Sequence, residues 1–206
     1  MNHKLYYFHD PMSSWCWAFR PLWNELVIGL PNNISYQRIL GGLAPDTDQL
    51  MPLEMQAKLQ SVWQKIQQTV PGTQFNFDFW EKCTPRRSTY AACRAVIAAK
   101  QQDPGYEETM IFAIQQAYYL EARNPADMTT LIELATEIGL DRELFCADID
   151  SPVVHQALFN QIEFTQRVEV KGFPTLLLGK DDLCTTIRYE YGDVEGILNQ
   201  IKQHSQ

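Results

Sequence analysis

The chain has 206 residues, with 17 Lys and Arg against 25 Asp and Glu for a formal charge of −8, and 45% hydrophobic residues. That is the arithmetic of one globular unit, long enough to hide roughly 70% of the surface of its unfolded form, so neither disulfides nor a structural metal is required to hold it together. The acidic balance argues against nucleic acid and anionic lipid as partners, because both attract clustered Lys and Arg.

No run approaches the roughly 18 apolar residues of a membrane span, and the opening MNHKLYYFHDPMSS lacks the apolar core of an export signal. A cytoplasmic protein is expected. The five cysteines, Cys16, Cys83, Cys93, Cys146 and Cys184, are odd in number and widely scattered. That spacing suits neither a disulfide framework nor a zinc site, so no metal ligands are assigned.

In chain order, Lys4 to His9 is rich in β-favouring aromatics and stops at Asp10-Pro11, which predicts a buried strand. From Trp15 to Ile28 the residues Phe19, Leu22, Trp23, Leu26 and Val27 fall at helical spacing, with Ser13 or Ser14 as N-cap and Pro21 expected to bend the helix. Ile34 to Leu40 alternates as a second strand before Gly41-Gly42 breaks it. The stretch from Pro45 to Asp150 then reads as helices: Pro52 to Val70, Arg86 to Gln101, Tyr106 to Glu121, Asp127 to Ile138 and Asp141 to Ala147. Another covers Pro152 to Val168. Strand texture returns at Gly172 to Gly179, followed by a turn at Lys180-Asp181-Asp182, a strand from Cys184 to Tyr189 and a last helix from Val194 to His204. A β-α-β start and a β-β-α end predict one α/β domain, residues 1–44 and 151–206, interrupted by an all-helical insertion, residues 45–150.

The stretch that carries chemistry is Asp10-Pro11-Met12-Ser13-Ser14-Trp15-Cys16-Trp17, between the first strand and the first helix. A sulfur or oxygen nucleophile at a helix N-terminus meets unpaired N–H groups and the positive end of the macrodipole, which stabilise its anion. Gly172-Phe173-Pro174-Thr175 is the second element: a proline opening a strand, where its missing N–H is tolerated and a cis bond is available. The bland alternative makes Ser13 and Ser14 plain caps, each contributing about 1 kcal/mol, and Cys16 a small buried hydrophobe.

With its β-α-β start, helical insertion and proline-bearing β-β-α end, the chain resembles the DsbA-type thioredoxin-fold superfamily, above all the cytoplasmic branch related to FrnE. In that branch the first motif reads Asp-Pro-Met-Cys-x-Trp-Cys-Trp. Ser13 stands at the first cysteine, Cys16 at the second, and Pro21 at the kinking proline of thioredoxins. Phe173-Pro174-Thr175 matches the cis-proline loop that offers backbone groups to an extended substrate. The resemblance implies a thioredoxin-like fold and thiol-disulfide oxidoreductase ancestry. It also implies that Ser13 removes dithiol cycling, since a hydroxyl forms no disulfide.

Three readings follow from that resemblance. One is a thiol-disulfide oxidoreductase family member using monothiol chemistry at Cys16, expected to be partly exposed and open to glutathionylation. A second is a glutathione-dependent transferase or isomerase like the kappa-class glutathione transferases and hydroxychromene-carboxylate isomerases. These place a serine where Ser13 lies to stabilise the glutathione thiolate, and Gly192-Asp193 resembles their γ-glutamyl-binding segment. A third is a non-catalytic module holding a peptide beside Phe173-Pro174. Trp15 is expected in the wall of the groove with Phe173. Glutathione is the expected small partner, no bound cofactor is required, and a homodimer is left open.

Other features have plainer alternatives. Arg86-Arg87, at the expected start of an insertion helix, offers a carboxylate site or a solvated surface pair. His9 beside Asp10 offers either polarisation of the site or strand-end packing. Cys83, Cys93, Cys146 and Cys184 are read as inert packing residues.

Overall fold

The computed structural model describes residues 3–180 and 183–205. Among these the order is β1 (His3–His9), α1 (Ser14–Gly29), β2 (Ile34–Leu40), α2 (Leu53–Thr69), α3 (Phe79–Lys82), α4 (Tyr90–Gln102), α5 (Tyr106–Tyr119), α6 (Met128–Glu137), α7 (Arg142–Asp148), α8 (Pro152–Arg167), β3 (Thr175–Lys180), β4 (Leu183–Ile187) and α9 (Val194–His204). The strands form one sheet in the order β2-β1-β3-β4, parallel between β1 and β2 and antiparallel elsewhere.

β1 is central and covered on both faces, which explains its nearly continuous apolar sequence. Its Leu5 and Tyr7 point to one side, where they meet Phe19, Leu22, Trp23 and Leu26 of α1, Ile197 and Ile201 of α9, and Leu176 and Leu178 of β3. Phe8 points to the other side with Ile39 and Leu177, beneath Phe164 of α8 and Phe173. Each such side chain fully withdrawn from water contributes about 1.5–3 kcal/mol.

The helices between β2 and β3 have their own packing centre. α4 is buried continuously from Ala91 to Ala99, as expected of a helix surrounded by others. Beside it Trp63 stacks on Phe75 at 4.8 Å and meets Trp80 at 4.9 Å. An ionic clamp joins this group to the sheet unit. Glu108 of α5 takes Arg20 of α1 at 2.5 Å and also pairs with Arg38 of β2, while Glu107 lies 3.7 Å from Arg38 and 2.7 Å from Lys100.

Several boundaries differ from the sequence expectation for identifiable reasons. α4 starts at Tyr90 rather than Arg86, because Arg86 is drawn into an antiparallel bridge with Leu50 and pairs with Asp127 at 2.6 Å. That pairing also leaves Asp127 outside α6, in extended backbone. The short α3 had no expectation, since four residues show no periodicity. β4 ends at Ile187, and β3 begins only after Pro174. In the expected turn Lys180-Asp181-Asp182, residues 181 and 182 lie outside the described residues.

Gly41 ends β2 with its N–H donated to the His9 carbonyl at 2.8 Å, and a Cβ there would sit 1.9 Å from the Phe173 ring. Gly41→Ala should therefore push Phe173 away from the sheet at a cost of about 1–3 kcal/mol. The expected readout is a melting temperature several degrees lower. An unchanged melting curve would show that Phe173 relaxes freely and does not hold this end of the sheet.

Candidate active site

The loop between β1 and α1 is held by a buried carboxylate. Asp10 has no exposed surface. Its Oδ1 accepts from the Met12 N–H at 2.8 Å, and its Oδ2 accepts from the Leu43 N–H at 2.7 Å and the Thr89 hydroxyl at 2.7 Å. The Cys93 thiol lies 3.6 Å from the same Oδ2. Burial raises the Asp10 pKa above the usual carboxylate value, and these four donors oppose the shift. Thr89 extends the link, donating its N–H to Ala44 O at 3.0 Å and accepting from the Ala44 N–H at 3.1 Å.

Ser13 occupies the N-cap position of α1 in extended backbone, yet its side chain makes no capping hydrogen bond. Its own N–H donates to Asp10 O at 3.0 Å, and its carbonyl accepts from Trp17 at 3.0 Å. The plain-cap reading therefore fails for Ser13. Its residue retains 7% exposure, whereas Cys16 has none.

The expectation of a partly exposed, activated Cys16 is overturned. Burial pushes the thiol up to about 12, and the hydrogen-bonding contributions of the Ser13 hydroxyl, the Asp10 backbone and the Tyr7 phenol recover only part of that cost. Desolvation outweighs the helix terminus here. The other cysteines divide similarly: Cys93 is buried and contacts Asp10, Cys83 donates to Ala122 O at 3.0 Å, but Cys146 and Cys184 are exposed rather than packed inside.

The register pairing Phe8 with Thr175 carries Pro174 to the end of the sheet where Asp10 and Ser13 lie. The Phe173–Pro174 peptide is cis. Two tyrosines that the sequence reading missed join this loop to the start of α1. The Tyr189 hydroxyl donates to Pro174 O at 3.1 Å, and the Tyr191 hydroxyl donates to Trp15 O at 3.4 Å. Their rings meet edge to face at 5.6 Å, and Trp15 lies 5.8 Å from Tyr191. Gly192, at φ +86°, turns the chain beyond them beside a cleft of about 650 Å³ that Trp17 and Tyr191 also line. The Asp193 carboxylate caps α9 by accepting from the Gly196 N–H at 2.9 Å.

Behind Cys16 lies a polar interior formed by Tyr7, His9, Arg20, Arg38, Glu108 and Gln115. His9 stacks on Tyr7 at 5.0 Å, and its Nε2 is buried without a partner. Burial, reinforced by the Arg38 and Arg20 charges, lowers its pKa to about 3 and keeps it neutral. On the opposite side Arg86 is committed to Asp127 and to Ala126 O, both at 2.6 Å. Among the described residues, no cluster of three or more His, Cys, Asp or Glu side chains could hold a metal ion.

The sequence profile of the thioredoxin family Thioredoxin_5 matches residues 6–185. The chain belongs to that family. Its architecture is DsbA-like. A putative protein disulfide isomerase from Nitrosomonas europaea superposes with a TM-score of 0.86 at 24% identity, over 100% of both chains. The cytosolic disulfide reductase DsbM from Pseudomonas aeruginosa superposes with a TM-score of 0.77 at 24% identity, over 98% of both. Among curated relatives, the ClpXP adapter protein SpxH of Halalkalibacterium halodurans is 26% identical over 184 residues, covering 87% of this chain and 60% of the relative. The chain thus spans about 60% of the length of that relative. No helix of the described residues is long and apolar enough to cross a membrane.

His9 gives this interior a pH signature. Unfolded, it titrates near 6.5; folded, near 3, so between these values only the unfolded chain takes up the proton. Its contribution to stability is complete above pH 6.5 and is lost as pH falls towards 3, at up to about 1.4 kcal/mol per pH unit. Urea unfolding at stepped pH should show stability falling more steeply for the native protein than for His9→Gln between pH 6 and pH 4. Parallel profiles would mean that His9 accepts its proton in the folded state.

Proposed function

We propose that this DsbA-like chain works with a thiol supplied by its ligand, glutathione or a similar short cysteine peptide, rather than with a thiol of its own. The observation that carries the reading is the pairing of a Ser13 side chain that makes no capping bond at the start of α1 with a Cys16 that is fully buried, where burial raises the thiol pKa. A hydroxyl donor and first-turn N–H groups together favour a bound thiolate without reacting themselves. Because Cys16 is withdrawn from solvent, the Ser13 hydroxyl is the side-chain donor of this motif proposed to meet the ligand sulfur. Pro174 and Thr175, at the same end of the sheet, would take the ligand backbone, with Trp15 and Phe173 beside it and Gly192 and Asp193 at its far edge.

The chemistry this allows is glutathione-dependent disulfide reduction. The bound thiolate attacks a disulfide sulfur, forming one S–S bond as the old one breaks and the other sulfur leaves as a thiolate that takes a proton. A second glutathione resolves the mixed disulfide, so two glutathiones supply two electrons and end as glutathione disulfide. DsbM, named a cytosolic disulfide reductase and known in a structure with GSH, shares this fold and is consistent with such a role in the cytoplasm. The SpxH relatives favour a second reading, in which the same groove holds a peptide without turnover.

Calorimetry with reduced glutathione, paired with a glutathione-coupled disulfide reduction assay, separates these readings. Binding in the micromolar to millimolar range with turnover, both weakened about tenfold or more by Ser13→Ala, is expected. Binding of cysteine peptides without turnover would favour the adapter reading, and no binding of glutathione at millimolar concentration would remove the proposal. Ser13→Cys should in addition create dithiol activity towards a small disulfide, with Cys16 as the resolving thiol.

A further inference from the structure

The outer face of α1 lines the cleft of about 650 Å³, a volume typical of small-molecule sites. Trp17, Pro21 and Glu25 follow one another at four-residue steps along the helix, so they share one face of it, and all three line the cleft. Phe112 of α5, the turn from Val70 to Gln74 after α2, and Tyr191 close its other sides. Two of these walls are set before any ligand arrives. The Trp17 indole N–H donates to Gln74 O at 3.0 Å while its ring stacks on Tyr119 at 5.7 Å, and the Tyr191 hydroxyl is bonded to Trp15 O. Phe112 keeps 37% of its surface exposed at the cleft, an apolar ring left open to water.

Two polar features of the α1 wall are unanswered. Pro21 has no N–H, so the carbonyl of Trp17, four residues earlier, lacks the donor that a helix ordinarily supplies. Of the two charged side chains at the cleft, Arg20 is committed to Glu108 and to Gln115, whereas Glu25 makes no ion pair or side-chain hydrogen bond among the described residues. Helix side chains lean towards the N-terminus, which sets the Glu25 carboxylate over the same turn in which the Trp17 carbonyl lacks its donor. An acceptor without a donor, a carboxylate without a cation and aromatic ring faces all favour a positively charged donor, while the carboxylate repels an anion.

We infer that this cleft binds a small molecule with an aromatic body and a protonated amine, the body against Trp17, Phe112 and Tyr191 and the amine between Glu25 and the Trp17 carbonyl. Binding here is independent of the thiol chemistry proposed at Ser13, and failure of one leaves the other standing.

Three probes with one indole body separate the contributions: tryptamine carries an ammonium, tryptophol a hydroxyl and indolepropionate a carboxylate. Each is titrated into the nitrogen-labelled full chain, and the Trp17 indole N–H resonance is followed by NMR. That resonance should shift with tryptamine at micromolar to millimolar concentration. Tryptamine should bind about two- to fivefold more tightly than tryptophol, the gain a pair with an exposed carboxylate gives, and indolepropionate should bind most weakly. Glu25→Gln should bring tryptamine down to the tryptophol level and leave tryptophol unchanged. Asn24→Trp, which fills the cleft from an exposed position on α1, should weaken all three by about tenfold or more. A Trp17 resonance that none of the probes moves at millimolar concentration, or full affinity in Asn24→Trp, would overturn the site. The native preference for tryptamine retained in Glu25→Gln would overturn the assignment of a cationic ligand. Should Asn24→Trp lower the melting temperature, Thr73→Trp fills the cleft from the opposite wall and is read in the same way.

Discussion

Asp10 enters the interior at the end of β1 with both carboxylate oxygens committed, so the loop leading to α1, the chain leaving β2 and the start of α4 converge on one side chain. Hydrogen bonds to a charged acceptor of this kind contribute about 1.5–3 kcal/mol each, and a donor left unpaired inside the protein costs a comparable amount. The geometry of Ser13 follows from this link, because its N–H is anchored on the carbonyl of the same Asp10. Removing the carboxylate would free three segments together.

Burial then decides which groups near that anchor can react. A helix N-terminus favours a thiolate, but Cys16 sits beneath the terminus with no exposed surface, and desolvation outweighs the dipole. The same balance keeps His9 neutral and raises the Tyr7 phenol well above its ordinary value. What remains beside Cys16 is the Ser13 hydroxyl, the first-turn N–H groups of α1 and the cis-proline loop. On the proposed reading, such a set would bind and orient a sulfur anion brought from outside.

Much of the scaffold was legible in the sequence because its strands and main helices obey simple periodicities. The aromatic run of β1, the helical spacing of α1 and the Gly-Phe-Pro-Thr entry to β3 each announce their element. The order β-α-β, helices, β-β-α also carries the likeness to DsbA-type proteins. What escaped were contacts set by distant partners. Arg86 looked like a helix start until Asp127 and Leu50 claimed it. Tyr189 looked like the end of a strand and Tyr191 had no expected role, although their hydroxyls bond to Pro174 O of the proline loop and Trp15 O of α1. Asp10 was visible as a turn residue, but nothing local shows that Leu43 and Thr89 point their donors at it. Burial of Cys16 was hidden as well, because local sequence does not report how deeply the first turn of a helix is set.

The central claim is that Ser13 stabilises a thiolate belonging to the ligand. Ultraviolet titration of bound glutathione at the thiolate absorbance band measures that ionisation directly, with the ligand-free protein as the blank. A bound thiol that ionises at least one pH unit below free glutathione, and that returns towards the free value in Ser13→Ala, is the predicted result. A bound thiol that titrates like free glutathione, or one whose ionisation is the same in Ser13→Ala, would contradict it.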